Sequence, residues 1–168
     1  EIMQKSEELQ LKVQFSVYNG ANLQSLGTSG NSLVVYESPE NDIRLFGVLN
    51  PHGLSGKEIS SVLVAFIQNH MNENVKKLQK LQGHEAIEGF IATMIIKSDK
   101  ELNKNGIDLN FSGTTLTLIM IIKGMLYSAN LGNSKAVLFR EINEAKRYAI
   151  ELTVDHTPEN REERYRIF

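Results

Sequence analysis

Leu116-Thr117-Leu118-Ile119-Met120-Ile121-Ile122 decides the fold. From Leu116 on, both alternating faces of this stretch are apolar. Thr114–Ile122 is therefore predicted to be a central strand covered on both sides, which calls for a layered sandwich and not one open sheet. Lys123-Gly124 follows as a tight hairpin turn, and Met125–Asn130 returns. Gly132-Asn133 reads as another hairpin turn, because both residue types tolerate positive φ. Lys135–Arg140 and Tyr148–Thr153 read as the next strands. Thr157 then caps a short helix with Pro158 at its first position.

Upstream the periodicity changes. Val13, Phe15 and Val17 alternate with polar residues and read as a strand. Leu33–Tyr36 and Ile43–Leu49 read as two more, joined by the turn residues of Glu37–Asp42. Ser55 and Glu58 have the spacing of a capping box. Ile59, Val62, Leu63, Phe66, Ile67 and His70 then share one helical face. This helix is expected to fade through the polar stretch Asn72–Gln82. Ile87, Phe90, Ile91, Met94 and Ile95 mark a second helix reaching Leu102, ended by Asn103–Gly106. Three strands, two long helices and a meander of at least four strands give an α+β fold with antiparallel sheets. Residues 1–10 are read as a polar N-terminal segment and 11–168 as one domain.

Composition narrows the function classes. The 168 residues include 41% apolar and 23% charged side chains, an ordinary globular balance that argues against disorder over most of the length. Eighteen basic and 20 acidic residues leave a net charge of -2, so no basic excess points to nucleic acid or anionic lipid. The longest apolar run, Leu116–Ile122, is far too short to span a bilayer. With no cysteine, disulfides and thiolate metal sites are excluded, and a reducing compartment is allowed. Asn110-Phe111-Ser112 matches a glycosylation acceptor, a pattern short enough to arise often by chance.

Four collinear segments carry a resemblance. They are Phe46-Gly47-Val48-Leu49-Asn50-Pro51-His52-Gly53 with Gly56; Ser112-Gly113-Thr114-Thr115; Ala129-Asn130-Leu131-Gly132-Asn133-Ser134-Lys135-Ala136-Val137-Leu138; and Leu152-Thr153-Val154-Asp155-His156-Thr157-Pro158 with Glu163-Arg164-Tyr165-Arg166-Ile167. Together, over roughly Gly27 to Phe168, they resemble the metal-dependent protein phosphatase 2C family. Its patterns are F-G-V-F-D-G-H-G-G, S-G-S-T, A-N-x-G-D-S-R-A-V-L and L-T-x-D-H-x-P-x…E-x-x-R-I. The resemblance implies an α/β/β/α sandwich, two antiparallel sheets flanked by helices. The family's C-terminal part, with two further metal-binding aspartates, has no counterpart here.

The resemblance also implies a chemistry, hydrolysis of phosphoserine and phosphothreonine by two Mg²⁺ or Mn²⁺ ions bridged by a water, and the departures bear on it. Hard divalent ions need anionic oxygen ligands. The family's D-G-H-G aspartate bridges both metals and the next glycine offers its carbonyl; here those positions are Asn50 and Pro51. A neutral amide does not replace a bridging carboxylate, and proline restricts Asn50 to extended angles. The family's G-D-S aspartate is Asn133. The family's phosphate-binding basic residue and its acidic neighbour fall near Thr28-Ser29-Gly30-Asn31-Ser32, which carries neither. No catalytic residue, cofactor or metal ligand is therefore expected, and Asn50, Pro51, His52, Gly53 and Asn133 are read as vestigial positions.

Plainer readings cover the remaining candidates. His52 matches the histidine thought to protonate the leaving group, and without metal it is read as a loop histidine held by local hydrogen bonds. Asp155 and His156 resemble a dyad, but in the family they belong to a structural turn. His70 and His84 lack metal-ligand spacing and are expected at the surface or at caps. Ser112-Gly113-Thr114-Thr115 leads into a strand and is no nucleophile elbow. The mixed charges of Glu159–Arg166 suit a solvated helix face.

The expected function is a catalytically inactive pseudophosphatase, a binding or structural component of a larger assembly with protein partners, in an intracellular, cytoplasmic setting. The alternative is an active Mg²⁺/Mn²⁺-dependent serine/threonine phosphatase completed by further sequence or a partner. A phosphopeptide-binding module is a third reading, weakened by the lack of arginines near Thr28–Ser32. If the chain stops near Phe168, open sheet edges and apolar surface invite pairing with another chain.

Overall fold

A computed structural model describes residues 30–143 and 146–168. Its main sheet has four antiparallel strands: β1 (Ser32–Ser38), β2 (Ile43–Leu49), β5 (Leu116–Ile122) and β6 (Met125–Leu131), in the spatial order β1-β2-β5-β6. Two small ribbons accompany it. Pro51–His52 (β3) pairs with Gly113–Thr114 (β4), and Val137–Asn143 (β7) pairs with Lys146–Glu151 (β8). Among the described residues three α-helices complete the α+β fold: α1 (Gly56–Lys80), α2 (His84–Leu102) and α3 (Arg161–Ile167). The alternating segment Val13–Val17 lies outside the described residues.

The register sorts the main sheet into two faces. Ile43, Leu45 and Gly47 stand opposite Ile122, Met120 and Leu118, and Val34 stands opposite Gly47. These residues share one face and are buried, together with Ile59, Leu63, Ile67, Met71 and Leu78 from α1 and Ile87, Phe90, Ile91 and Met94 from α2. Each such side chain taken from water contributes about 1.5–3 kcal/mol, so this layer is the main source of stability. The other face carries Leu33, Val35, Phe46, Val48, Ile119, Ile121 and Leu126. Most of these are half-buried, and Val48 and Leu126 are exposed. The strand expected to be covered on both sides is thus fully buried on its helix face, whereas Ile119 and Ile121 on the other are only half-covered.

Several local expectations are corrected. Strand Thr114–Ile122 is interrupted at Thr115, between β4 and β5: Asn50 faces Thr115 in the same register and takes its N–H at 3.1 Å, but the Asn50 N–H goes to the Thr115 hydroxyl at 3.3 Å and not to its carbonyl. Helix α1 does not fade: Met71 and Leu78, seven residues apart, keep an apolar stripe on its inner face through the polar tract. The Ser55–Glu58 capping box does not form, since Ser55 sits at φ -91°, ψ 1° and its side chain makes no cap bond. Its N–H is taken instead by Ser112 Oγ at 3.0 Å. Gly132-Asn133 does not join a hairpin, and β7 pairs with β8 and not with β6. The last helix starts later than expected. Asn160, not Thr157, caps it, its Oδ1 accepting from the Glu162 N–H at 3.0 Å, and Pro158 lies in the preceding turn. The Lys123-Gly124 turn is as expected, with both residues at positive φ (52° and 71°) between paired β5 and β6.

His70 is another correction. It is 8% exposed and lies between α1 and α2, its ring 5.6 Å from both Phe66 and Phe90. Burial, reinforced by Lys97 and Lys77 and opposed by Glu73, holds its pKa below the ordinary histidine value. The unfolded chain takes up this proton near pH 6.5, before the folded chain does. Stability from this group is therefore complete above about pH 6.5 and is lost as pH falls below it through the folded pKa. Urea midpoints measured from pH 8 to 5 are expected to drop over the acid part of that range, with a shallower drop in His70→Gln.

Candidate functional site

Three of the four segments that carry the resemblance meet at Thr115, the last residue of Ser112-Gly113-Thr114-Thr115. Thr115, 6% exposed, receives the Asn50 N–H on its Oγ1 at 3.3 Å and gives its own N–H to the Asn50 carbonyl at 3.1 Å. The same Oγ1 is 2.5 Å from Ser134 Oγ. Gly132 (φ 93°) packs against the Thr115 side chain so closely that an added Cβ would lie 2.8 Å from its Cγ2. The structure thus brings Asn50, Gly132 and Ser134 together on Thr115.

Pro51 and His52 form β3, opposite Thr114 and Gly113. Pro51 is half-buried. A Cβ added at Gly30 or at Gly56 would lie 3.1 Å from its ring. Gly30-Asn31-Ser32 therefore does reach the loop, the place where the resemblance puts a phosphate-binding segment. Its only side-chain hydrogen bond to another element is Ser32 Oγ to Ser60 Oγ, at 3.0 Å, among the described residues. His52, Gly53 and Asn133 are exposed.

The 132–136 segment is anchored from the other side. The Gly132 carbonyl accepts from the His156 N–H at 2.9 Å, and the Ala136 N–H donates to Thr153 Oγ1 at 3.0 Å. Lys135 Nζ bonds Glu151 Oε1 at 3.2 Å and lies 3.7 Å from Asp155 Oδ1. The Glu151 hydrogen bond, with Asp155 adding through space, raises the Lys135 pKa above the ordinary lysine value. Asp155 Oδ1 is shielded from solvent and too far from Lys135 for a hydrogen bond, so its only close partner among the described residues is ionic. Asp155 and His156 thus brace a turn here. His84, at the first position of α2, hydrogen-bonds Tyr127 OH through Nδ1 at 2.9 Å.

Among the described residues, the side chains at the metal-motif positions of these loops are amides, hydroxyls and a proline. Asn50, Pro51, Asn133 and Ser134 carry no charge, and neither do Gly30, Asn31 and Ser32. This donor set does not fit a pair of hard divalent ions, which need carboxylates to bridge them and to offset four positive charges.

The domain is thus an antiparallel sheet with two long helices on one face, and a loop after its second strand held by Thr115, which also meets Ser134. The chain belongs to the protein phosphatase 2C family, whose profile matches residues 13–168. It is 31% identical over 137 residues to a probable protein phosphatase 2C 2 of Paramecium tetraurelia, covering 75% of this chain and 42% of that protein. It is 33% identical over 136 residues to a probable protein phosphatase 2C 72 of Arabidopsis thaliana, covering 75% and 40%. The chain thus spans about two fifths of the length of these relatives.

Proposed function

We propose that this domain has exchanged catalysis for binding and works as an inactive phosphatase 2C-type component of an intracellular assembly with protein partners. The observation that carries the reading is Asn50-Pro51 held by Thr115 where the family places its metal-bridging carboxylate. The loop keeps its backbone anchorage while its charge is gone. An amide oxygen offers a divalent ion a weak dipole in place of a full charge, and the paired-metal hydroxide needs both ions.

Surface chemistry agrees with a binding role. Leu54 and Phe111, on the two loops that cross at Gly53, are almost wholly exposed, and Phe139 is largely so. Exposed apolar groups of this size commonly mark protein contacts. A net charge of -2 gives no footprint for nucleic acid. None of the described helices is long and apolar enough to cross a membrane.

Light scattering on the purified chain, with a dye that reports exposed apolar surface, tests the assembly part. The expected result is self-association or strong dye binding. A stable monomer that unfolds cooperatively and binds no dye would remove the assembly argument. The second reading, an active serine/threonine phosphatase completed by other sequence or a partner, is favoured by the family membership itself. Turnover decides it.

A further inference from the structure

Away from the Asn50 loop, residues of α1 and α2 line a cleft of about 220 Å³ beside His70. The three-residue connection between the helices makes them antiparallel neighbours. Lys77 and Asn74 line the cleft from α1, Thr93 and Lys97 from α2, and His70 and Phe90 close its inner wall. Its charged lining residues are both lysines. Glu73 and Glu101 line a separate cleft that shares His70 but opens between other residues. Neither Lys77 nor Lys97 is ion-paired among the described residues.

This is the arrangement of an anion site. Two lysines on facing helices can supply charge-assisted hydrogen bonds to an anion in the cleft, and the Thr93 hydroxyl can add a neutral donor. His70 adds a switchable one, because an anion beside a buried imidazole favours its protonated form. The volume limits the guest. At roughly 30 Å³ per water, the cleft holds a tetrahedral oxyanion with a few waters or a short ester arm. Extended polyanions are disfavoured, because Glu73, Glu85 and Glu88 are exposed on the same two helices and the whole chain is net negative.

We propose that the α1–α2 cleft binds a small phosphate-class anion, free or as a monoester, held by Lys77 and Lys97 with His70 as its inner wall. The site is independent of the ancestral metal centre and of whether the domain turns over substrate.

The test is NMR of the histidine ring resonances of the full chain at pH 7, titrated with inorganic phosphate and, separately, with glycerol phosphate. Sodium chloride holds ionic strength constant. The expected result is a saturable shift of the His70 resonances and a higher apparent His70 pKa when the ligand is present. Affinity is expected to fall at least tenfold in the Lys77→Gln/Lys97→Gln double variant and to persist in a Lys57→Gln control. Saturation by both ligands identifies the phosphate group as what is recognised; saturation by glycerol phosphate alone assigns the site to a monoester. An unmoved His70, a shift equalled by chloride alone, or a shift retained in the double variant would overturn the proposal.

Discussion

The purified chain is expected to hydrolyse neither a small aryl phosphate nor a phosphothreonine peptide in the presence of Mn²⁺ or Mg²⁺. Two-metal hydrolysis depends on a metal-bound hydroxide whose pKa the ions bring toward neutrality, and on ions that neutralise the phosphoryl oxygens. Losing that chemistry removes many orders of magnitude in rate, since each 1.4 kcal/mol of barrier is a factor of about ten. The double variant Asn50→Asp with Pro51→Gly is expected to stay inactive. It restores one carboxylate, while Asn133 remains neutral and Gly30-Asn31-Ser32 still offers phosphate no cation. Initial rates with and without chelator read this out. Chelator-sensitive turnover by the unmodified chain would sink the inactive reading and leave the phosphatase reading standing.

Gly53→Ala is expected to be among the most destabilising single changes in the loop region. Gly53 has φ 78°, a conformation that costs an L-residue about 1–2 kcal/mol. A Cβ there would also overlap the Phe111 carbonyl oxygen and approach Ser112 Oγ to 2.6 Å and its Cα to 2.8 Å. These atoms include backbone of the facing loop, so relief requires the 111–113 segment to move. That motion would break the Ser55 N–H to Ser112 Oγ bond and disturb the β3–β4 ribbon. Overpacking of this kind adds about 1–3 kcal/mol, so a total of about 2–5 kcal/mol is expected from chemical denaturation. Gly89→Ala, where an added Cβ meets nothing within 4 Å, is the matched control and should be neutral or slightly stabilising.

Where the sequence could be read, one physical signal dominated. Ile43–Leu49 was legible as β2 to the residue, because its alternation is set by a single buried face. Lys123-Gly124 was legible because a two-residue hairpin demands positive φ at both positions. Failures came where distant groups compete for the same backbone atoms. Ser55 looks like a cap, but Ser112, 57 residues away, takes its N–H. Gly132-Asn133 looks like a hairpin, but the Gly132 carbonyl is claimed by His156. His70 looked like a surface histidine because Phe90, the ring that helps bury it from the other side, lies on another helix.

The candidate site was more legible in its residues than in its construction. The motif positions Asn50, Pro51 and Asn133 could be picked out by their departure from the family pattern. That Thr115 clasps Asn50 and Ser134 at once could not, since a threonine before an apolar run looks like any strand start.

The most direct test of the central claim is titration calorimetry of the full chain with Mn²⁺. A neutral Asn50-Pro51 loop predicts no saturable heat beyond weak surface binding, and the same trace in the wild type and in Asn50→Ala. A stoichiometric micromolar site that disappears on changing Asn50 would contradict the account and return the domain to the metal-dependent phosphatases.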